Sequence, residues 1–137
     1  MKKEKSCGAV LYKKVNGVKY YLCLHMSLGH YSICKGHVEG NETEKETALR
    51  EIKEETSLEA LIDTNFREVI TYSPYKDCIK DVVFFVGEIV NGKEKPQEEE
   101  VSEISYLTLE DMLKTLTYDS DKEVVKKADL YLKRKGI

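Results

Sequence analysis

The stretch from Gly36 to Leu58, GHVEGNETEKETALREIKEETSL, constrains this chain more than any other. Thr43 is a good N-cap and Glu46 follows three positions on, the arrangement of a capping box, so a helix is predicted over 44–56. At about 100° per residue, Ala48, Leu49, Ile52 and Thr56 share one arc and are expected to face a core. Glu44, Glu51, Glu54 and Glu55 fall on a neighbouring arc. Glu46, Arg50 and Lys53 lie further round, where Arg50 can pair with Glu46 or Glu54 at i±4 spacing.

Such a helix is not arranged for stability alone. Glu51 and Glu55 are four apart, and like charges at that spacing repel by roughly 0.2–0.5 kcal/mol. Glu54 and Glu55 sit in the last turn, where the helix dipole disfavours each anion by about 0.3–1 kcal/mol. Two readings compete: a solvated acidic face, or a set of ligands for a cation. The surroundings favour the second, with Arg50 beside the acids and with Glu42 and Gly36 upstream. A glycine-containing loop entering a capped helix lets backbone carbonyls approach the cation that the carboxylates bind. Carboxylate, carbonyl and water oxygens form a hard donor set, suited to Mg²⁺ or Mn²⁺ rather than Zn²⁺. His37 stands close by, but a lone histidine is more often a hydrogen-bonding residue than a ligand.

The flanking sequence supplies a frame for that helix. Strands are predicted over 6–13 and 18–25, joined through Asn16-Gly17, a strong hairpin signal. Residues 26–35 read as a loop. Further strands are predicted over 65–72 and 81–90, with a turn at Ser73–Asp77 between them. The near-continuous apolar run Val82–Val86 is the pattern of a strand buried on both faces. A charged loop around Pro96 precedes a short strand over 103–107. Thr108 can cap a helix over 109–115, and a last helix over 121–134 offers Val124, Val125, Ala128, Leu130 and Leu132 to a core. Hairpins outnumber β-α-β units. The expected fold is α+β, one domain over 1–137 with a mixed β-sheet packed between helices.

At 137 residues and a net charge of −3, the chain offers no general attraction to nucleic acid or anionic membrane, so a bound polyanion must be held locally. No apolar run approaches the roughly 18–20 residues of a membrane span. The apolar run before Lys13 and Lys14 is too short for a signal-peptide core, which makes a cytoplasmic protein the expectation. Cys7, Cys23, Cys34 and Cys78 show no C-x-x-C spacing and read as reduced, buried thiols rather than a metal or redox site.

The positions Gly36, Glu42, Arg50, Glu51, Ile52, Glu54, Glu55 and Leu58 resemble the Nudix box, G-x5-E-x7-R-E-U-x-E-E-x-G-U, where U is aliphatic. Every fixed position matches except Ser57, where the family usually has glycine. The box spans 36–58, and a match of this length is far more specific than a lone glycine motif. Ser57 would occupy a left-handed position at the helix end, where a residue other than glycine costs on the order of 1 kcal/mol. Within the family, Lys35-Gly36-His37-Val38-Glu39 and Ser6-Cys7-Gly8-Ala9-Val10-Leu11-Tyr12 are similar to the asymmetric diadenosine tetraphosphate hydrolases. Where those enzymes have Trp and Pro ahead of K-G-H, this chain has Tyr31 and Cys34.

The resemblance implies a Nudix fold, an α/β/α sandwich, and Mg²⁺-dependent hydrolysis of a nucleoside diphosphate linked to another moiety. By position in the motif, Glu51, Glu54 and Glu55 would bind metal, with a carbonyl of Lys35 or Gly36 added and Arg50 fixing a box glutamate such as Glu42 or Glu54. A further acid from a later loop is expected, with Glu100 preferred over Glu98 and Glu99. Tyr72 is the candidate for stacking on the base, with Tyr75 in reserve. Lys35, Lys80 and His37 are the candidates for other substrate contacts. The partner is then a small nucleotide, with neither membrane nor stable nucleic-acid complex. Alternatives within the same chemistry are a modified nucleoside triphosphate or the 5′-triphosphate end of RNA. A catalytically silent nucleotide sensor fits less well, because the box acids are all present.

Overall fold

The computed structural model describes the whole chain, Met1–Ile137. Seven strands and three helices follow in the order β1 (Lys2–Val15), β2 (Val18–Met26), β3 (Tyr31–Ser32), β4 (Cys34–His37), α1 (Glu44–Thr56), β5 (Glu59–Tyr72), β6 (Cys78–Asn91), β7 (Val101–Leu107), α2 (Leu109–Thr115) and α3 (Asp119–Arg134). They build one sheet in the order β3-β2-β1-β6-β5, with β4 also paired to β1 and β7 to β2. β1 and β6 run parallel at its centre, and the other pairs are antiparallel.

Period-two alternation along β1 and β6 gives the sheet two apolar faces. Cys7, Ala9, Leu11, Val83 and Phe85 face one way and pack with Ala48 and Ile52 of α1. Val10, Tyr12, Val82, Phe84 and Val86 face the other and pack with Met112 of α2 and Val124, Val125, Ala128 and Leu132 of α3. The sheet is therefore held between helices, the α/β/α sandwich that the resemblance implied. All five residues of Val82–Val86 are buried, as expected of a strand covered on both sides. The turn between β1 and β2 is the two-residue Asn16-Gly17, both at positive φ, with Val15 opposite Val18. α3 is tied to β2 by a buried hydrogen bond, Tyr21 Oη donating to Asp129 at 2.5 Å.

Several expectations need correction. Residues 26–35 are not simply a loop, since β3 pairs with β2 and β4 with β1. Strands of two and four residues carry no readable period and form because a neighbouring strand accepts them. β5 begins at Glu59, six positions earlier than the predicted 65, with a register shift between Asp63 and Glu68. It lies at the edge of the sheet, so its first half buries only Ala60 and shows little apolar signal. Leu49 and Leu130 do not enter the core but stay 37% and 48% exposed. In α1 the buried arc is shifted to Thr47, Ala48, Ile52, Glu55 and Thr56, so it takes in a glutamate.

Candidate active site

The acidic helix is secured at both ends. At its start, Thr43 Oγ1 accepts the Glu46 N–H at 3.1 Å and Glu46 Oε1 accepts the Thr43 N–H at 2.8 Å, the full capping box. Glu46 is thereby engaged and makes no pair with Arg50. At its end Ser57 adopts φ 64°, left-handed as expected for the position, and donates its N–H to the Lys53 carbonyl at 2.9 Å. The charged loop around Pro96 completes the cap: Lys95 N–H donates to Thr56 O at 2.9 Å and Gln97 N–H to Glu55 O at 3.2 Å. Carbonyls that a helix end usually leaves to water are thus satisfied by the loop that carries Glu100. That loop is pinned on its far side by Ser27 N–H donating to Glu100 O at 2.8 Å.

Arg50 organises the acids. Its Nε and Nη2 donate to Glu42 Oε2 and Oε1 at 2.7 and 3.0 Å, a bidentate fork. Nη1 donates to Glu51 Oε1 at 2.8 Å and Glu54 Oε2 at 3.2 Å, and Nη2 also reaches the His37 carbonyl at 2.8 Å. Of the two pairings open for Arg50 with a box glutamate, both form, and Glu51 joins them. The Arg50 guanidinium, helped by the Glu39 N–H, holds the Glu42 carboxyl far below its ordinary range, at about 2.

Glu55 is the buried member of the trio, 3% exposed. Burial, with the Glu51 charge adding to it, pushes its carboxyl up to about 7 against the opposing hydrogen bond from Cys34. The Cys34 thiol donates to Glu55 Oε1 at 3.0 Å and the Lys35 N–H to the same oxygen at 3.1 Å. Both bonds fall on one oxygen. Glu51 is likewise raised, by burial first and then by Glu54 and Glu100. Its carboxylate lies so close over Gly36 that a Cβ there would collide with it, which is why the chain needs glycine at that point. Gly8 has a matching duty: a side chain there would strike the Cys34 carbonyl and Lys35.

These groups line one polar cavity of about 440 Å³. Glu51, Glu54, Glu55 and Glu100 lie on its walls together with Lys35 and Gly36. His37 and Lys80 border it too, His37 with its side chain largely exposed near Glu4 and Lys80 with its pKa lowered by burial and by Lys35. Glu98 and Glu99 face a separate surface recess, so Glu100 is the loop acid that reaches this cavity. With Glu39 also on the wall, five carboxyl groups against two ammonium groups leave an excess of negative charge, which would repel a polyphosphate unless cations intervene. The donor set is all oxygen on the acidic side and fits a hard divalent ion. No three acidic, histidine or cysteine side chains converge tightly enough to cage a bare ion. Mg²⁺ does not ask for that, because it keeps several waters and takes one or two carboxylates plus substrate phosphates.

A second, apolar cavity of about 320 Å³ adjoins the first, and Lys35 lines both. Tyr72 lies on its wall, 43% exposed, above Ile70, Val82 and Phe84. Tyr75 does not take part: its hydroxyl donates to Glu4 Oε2 at 2.9 Å, and it lines neither cavity. Four polar or aromatic wall residues were not anticipated from sequence, namely His30, Tyr118, Ser120 and Asp121. They belong to the β2–β3 turn and the start of α3, segments with no motif of their own. The one available signal was Tyr118 directly ahead of the α3 acids.

The family model for the NUDIX domain matches residues 9–128. The chain belongs to the Nudix family. A Caenorhabditis elegans asymmetrical bis(5′-nucleosyl)-tetraphosphatase is 28% identical over 133 residues, covering 93% of this chain and 96% of that protein. The Rattus norvegicus enzyme of the same name is 32% identical over 96 residues, 62% of this chain and 65% of that one. A crystal structure of a C. elegans Ap4A hydrolase binary complex superposes with a TM-score of 0.86 at 27% identity, covering 94% of this chain and 97% of that one. The Nudix domain of Shewanella oneidensis NrtR, complexed with ADP ribose, shares the fold at TM-score 0.81 and 17% identity over 96% of this chain and 90% of that one. This Nudix chain is accordingly a hydrolase acting on phosphoric anhydride bonds.

Proposed function

We propose that this Nudix hydrolase cleaves dinucleoside polyphosphates such as diadenosine tetraphosphate, releasing a nucleoside triphosphate and a nucleoside monophosphate, with Mg²⁺ as cofactor. The observation that carries the reading is the adjacency of an acidic cavity and an aromatic one, with Lys35 on the wall of both. Glu51, Glu54 and Glu55, with Glu100 and a carbonyl of Gly36 or Lys35, would hold the metal. The ion would supply neutralisation of the polyphosphate and activation of the attacking water; Mn²⁺ suits the same donors. Arg50 acts through the carboxylates it fixes rather than on the substrate. Tyr72, which shares the cavity wall with Tyr118, offers a stacking surface for a base, worth about 1–3 kcal/mol per base. Lys35 and Lys80 are the cations for the outer phosphates, and His37 borders the same channel.

The names of the similar C. elegans and rat enzymes support this substrate class. All four cysteines are free and buried, consistent with a reducing, cytoplasmic setting. No helix is long and apolar enough to cross a membrane. The chain is read as a single catalytic unit, with no nucleic-acid complex.

The test is a ranking of kcat/KM in Mg²⁺ across diadenosine tetraphosphate, nucleoside triphosphates and a 5′-triphosphorylated RNA. The reading expects the dinucleotide to lead by at least about tenfold, roughly 1.4 kcal/mol of transition-state discrimination. Selective pyrophosphate release from triphosphates or RNA would replace it with one of those substrates.

A further inference from the structure

The apolar cavity has one acid in its wall, Asp121, and no group of the protein bonds to it. Asp121 is the third residue of α3, 6% exposed, and it lines the cavity with Tyr72 and Tyr118. Burial raises its pKa, and the charges of Lys35 and His30 oppose this only from a distance, with no hydrogen bond from either. Asp129 on the same helix shows how this chain treats a structural buried acid. It accepts from Tyr21 and pairs with Lys19 at 3.2 Å and Lys133 at 3.2 Å. Asp119, one turn-position away, is almost fully solvated beside Lys122. Asp121 has neither treatment: its side chain is largely buried, takes no hydrogen bond from another side chain and opens onto a ligand-sized hollow. Its carboxylate oxygens are not sealed from solvent, so a ligand entering the cavity displaces their water and must replace it with donors of its own, which favours one that brings N–H groups.

We propose that Asp121 reads the base held in this cavity beside Tyr72 and Tyr118 and selects guanine over adenine at this position. This rests on the preceding assignment of the apolar cavity to a base and ranks the bases at this one position; dinucleoside polyphosphates remain the substrate class, and diadenosine tetraphosphate remains a substrate, bound less tightly here than its guanine counterpart. A carboxylate is an acceptor only. The pairing edge of guanine carries two adjacent donors, N1–H and the 2-amino group, which match the two oxygens of a carboxylate. The same edge of adenine offers one amino donor beside the N1 lone pair, which would meet the second oxygen acceptor to acceptor. Two bonds on one side and one bond with a repulsive contact on the other is the condition under which a polar pocket discriminates well.

Calorimetric titration of GMP and of AMP into the wild-type protein, Asp121→Asn and Asp119→Asn tests this without requiring turnover. Wild type and Asp119→Asn are expected to bind GMP at least about tenfold more tightly than AMP. In Asp121→Asn, whose amide offers one acceptor and one donor, that ratio is expected to fall at least about fivefold, with the thermal transition retained. A wild-type ratio below tenfold, or one that Asp121→Asn leaves in place, overturns the inference while leaving the base cavity standing. Failure of both nucleotides to bind wild type overturns the base cavity itself and the inference with it. The wild-type ratio decides without any variant, so misfolding of Asp121→Asn cannot shelter the proposal.

Discussion

The Arg50 guanidinium closes a two-bond fork on the Glu42 carboxylate, Nε to Oε2 at 2.7 Å and Nη2 to Oε1 at 3.0 Å. Glu42 lies before the helix and Arg50 in its second turn, so the fork fixes the entry loop against α1. The remaining face of the guanidinium then holds Glu51 and Glu54. Lysine cannot reproduce this, since it is a point charge without the planar fork. Arg50→Lys is expected to lower kcat about 10–100-fold with Mg²⁺ saturating, the range seen when groups that orient metal ligands are lost. Steady-state kinetics with a matched thermal melt separates this from unfolding. A kcat within twofold of wild type would remove Arg50 from the role of aligning the acids.

Glu54→Gln and Glu55→Gln should each reduce turnover by about 100-fold or more while the protein stays folded. Near-wild-type activity of both in Mg²⁺ would place the metal elsewhere.

Glu55 also sets a pH dependence. Its carboxyl is raised in the fold from 4.5 to about 7, so the metal-free protein favours the protonated form. The stability it contributes is greatest at low pH and declines as pH rises from about 4.5 to about 7. Mg²⁺ binds the ionised form, so its stabilising effect should be larger at pH 8 than at pH 5.5. In Glu55→Gln the metal-free protein should gain on the order of 1–3 kcal/mol at pH 8 relative to wild type. Melting curves at the two pH values, with and without Mg²⁺, show whether this crossover exists; parallel curves contradict it.

The opposite sign holds on the acid side. Arg67 forks onto Glu44 at 2.8 and 2.8 Å and Lys5 joins it, holding that carboxyl at about 2, while Arg50 does the same to Glu42. Groups depressed in this way stabilise the fold above about 4.5 and lose that contribution as pH falls towards about 2. Glu44→Gln should therefore destabilise at neutral pH and flatten the loss of stability between those limits. Acid titration of unfolding free energy for the two proteins reads the difference directly.

Ser57 occupies φ 64° with only a 3.4 Å contact from its hydroxyl to the Lys95 carbonyl in return. Ser57→Gly should stabilise the protein by about 0.5–1 kcal/mol with kcat unchanged, because the left-handed backbone penalty disappears and no ligand is touched. Chemical denaturation would detect it; a loss of stability would mean the Lys95 contact outweighs the strain.

How much of this could be read in advance follows from how local each feature is. The helix of Glu51, Glu54 and Glu55 was legible because its cap, its period and its spacing to Gly36, Glu42 and Arg50 all lie within one stretch. Tyr72 was a candidate through the family resemblance, which expects a stacking tyrosine at that strand end, and it lines the apolar cavity. Tyr75, three residues on, was not separable from it until the turn carried it to Glu4. Cys34 donating to Glu55 requires β4 to lie beside β1, a pairing of four residues without a pattern. Tyr118 and Asp121 reach the cavity only because α3 packs across the sheet from Val82 and Phe84. Apart from Glu100, the acidic half of the site is therefore local in sequence, and the apolar half is a product of tertiary packing.

The central claim, a Mg²⁺-dependent asymmetric cut of a dinucleoside polyphosphate, is tested most directly by separating the products of diadenosine tetraphosphate after exposure to the enzyme in Mg²⁺. Equal amounts of ATP and AMP, absent when the metal is chelated, are the predicted result. Two equivalents of ADP, or intact substrate under conditions where the protein is folded and Mg²⁺-loaded, would contradict it.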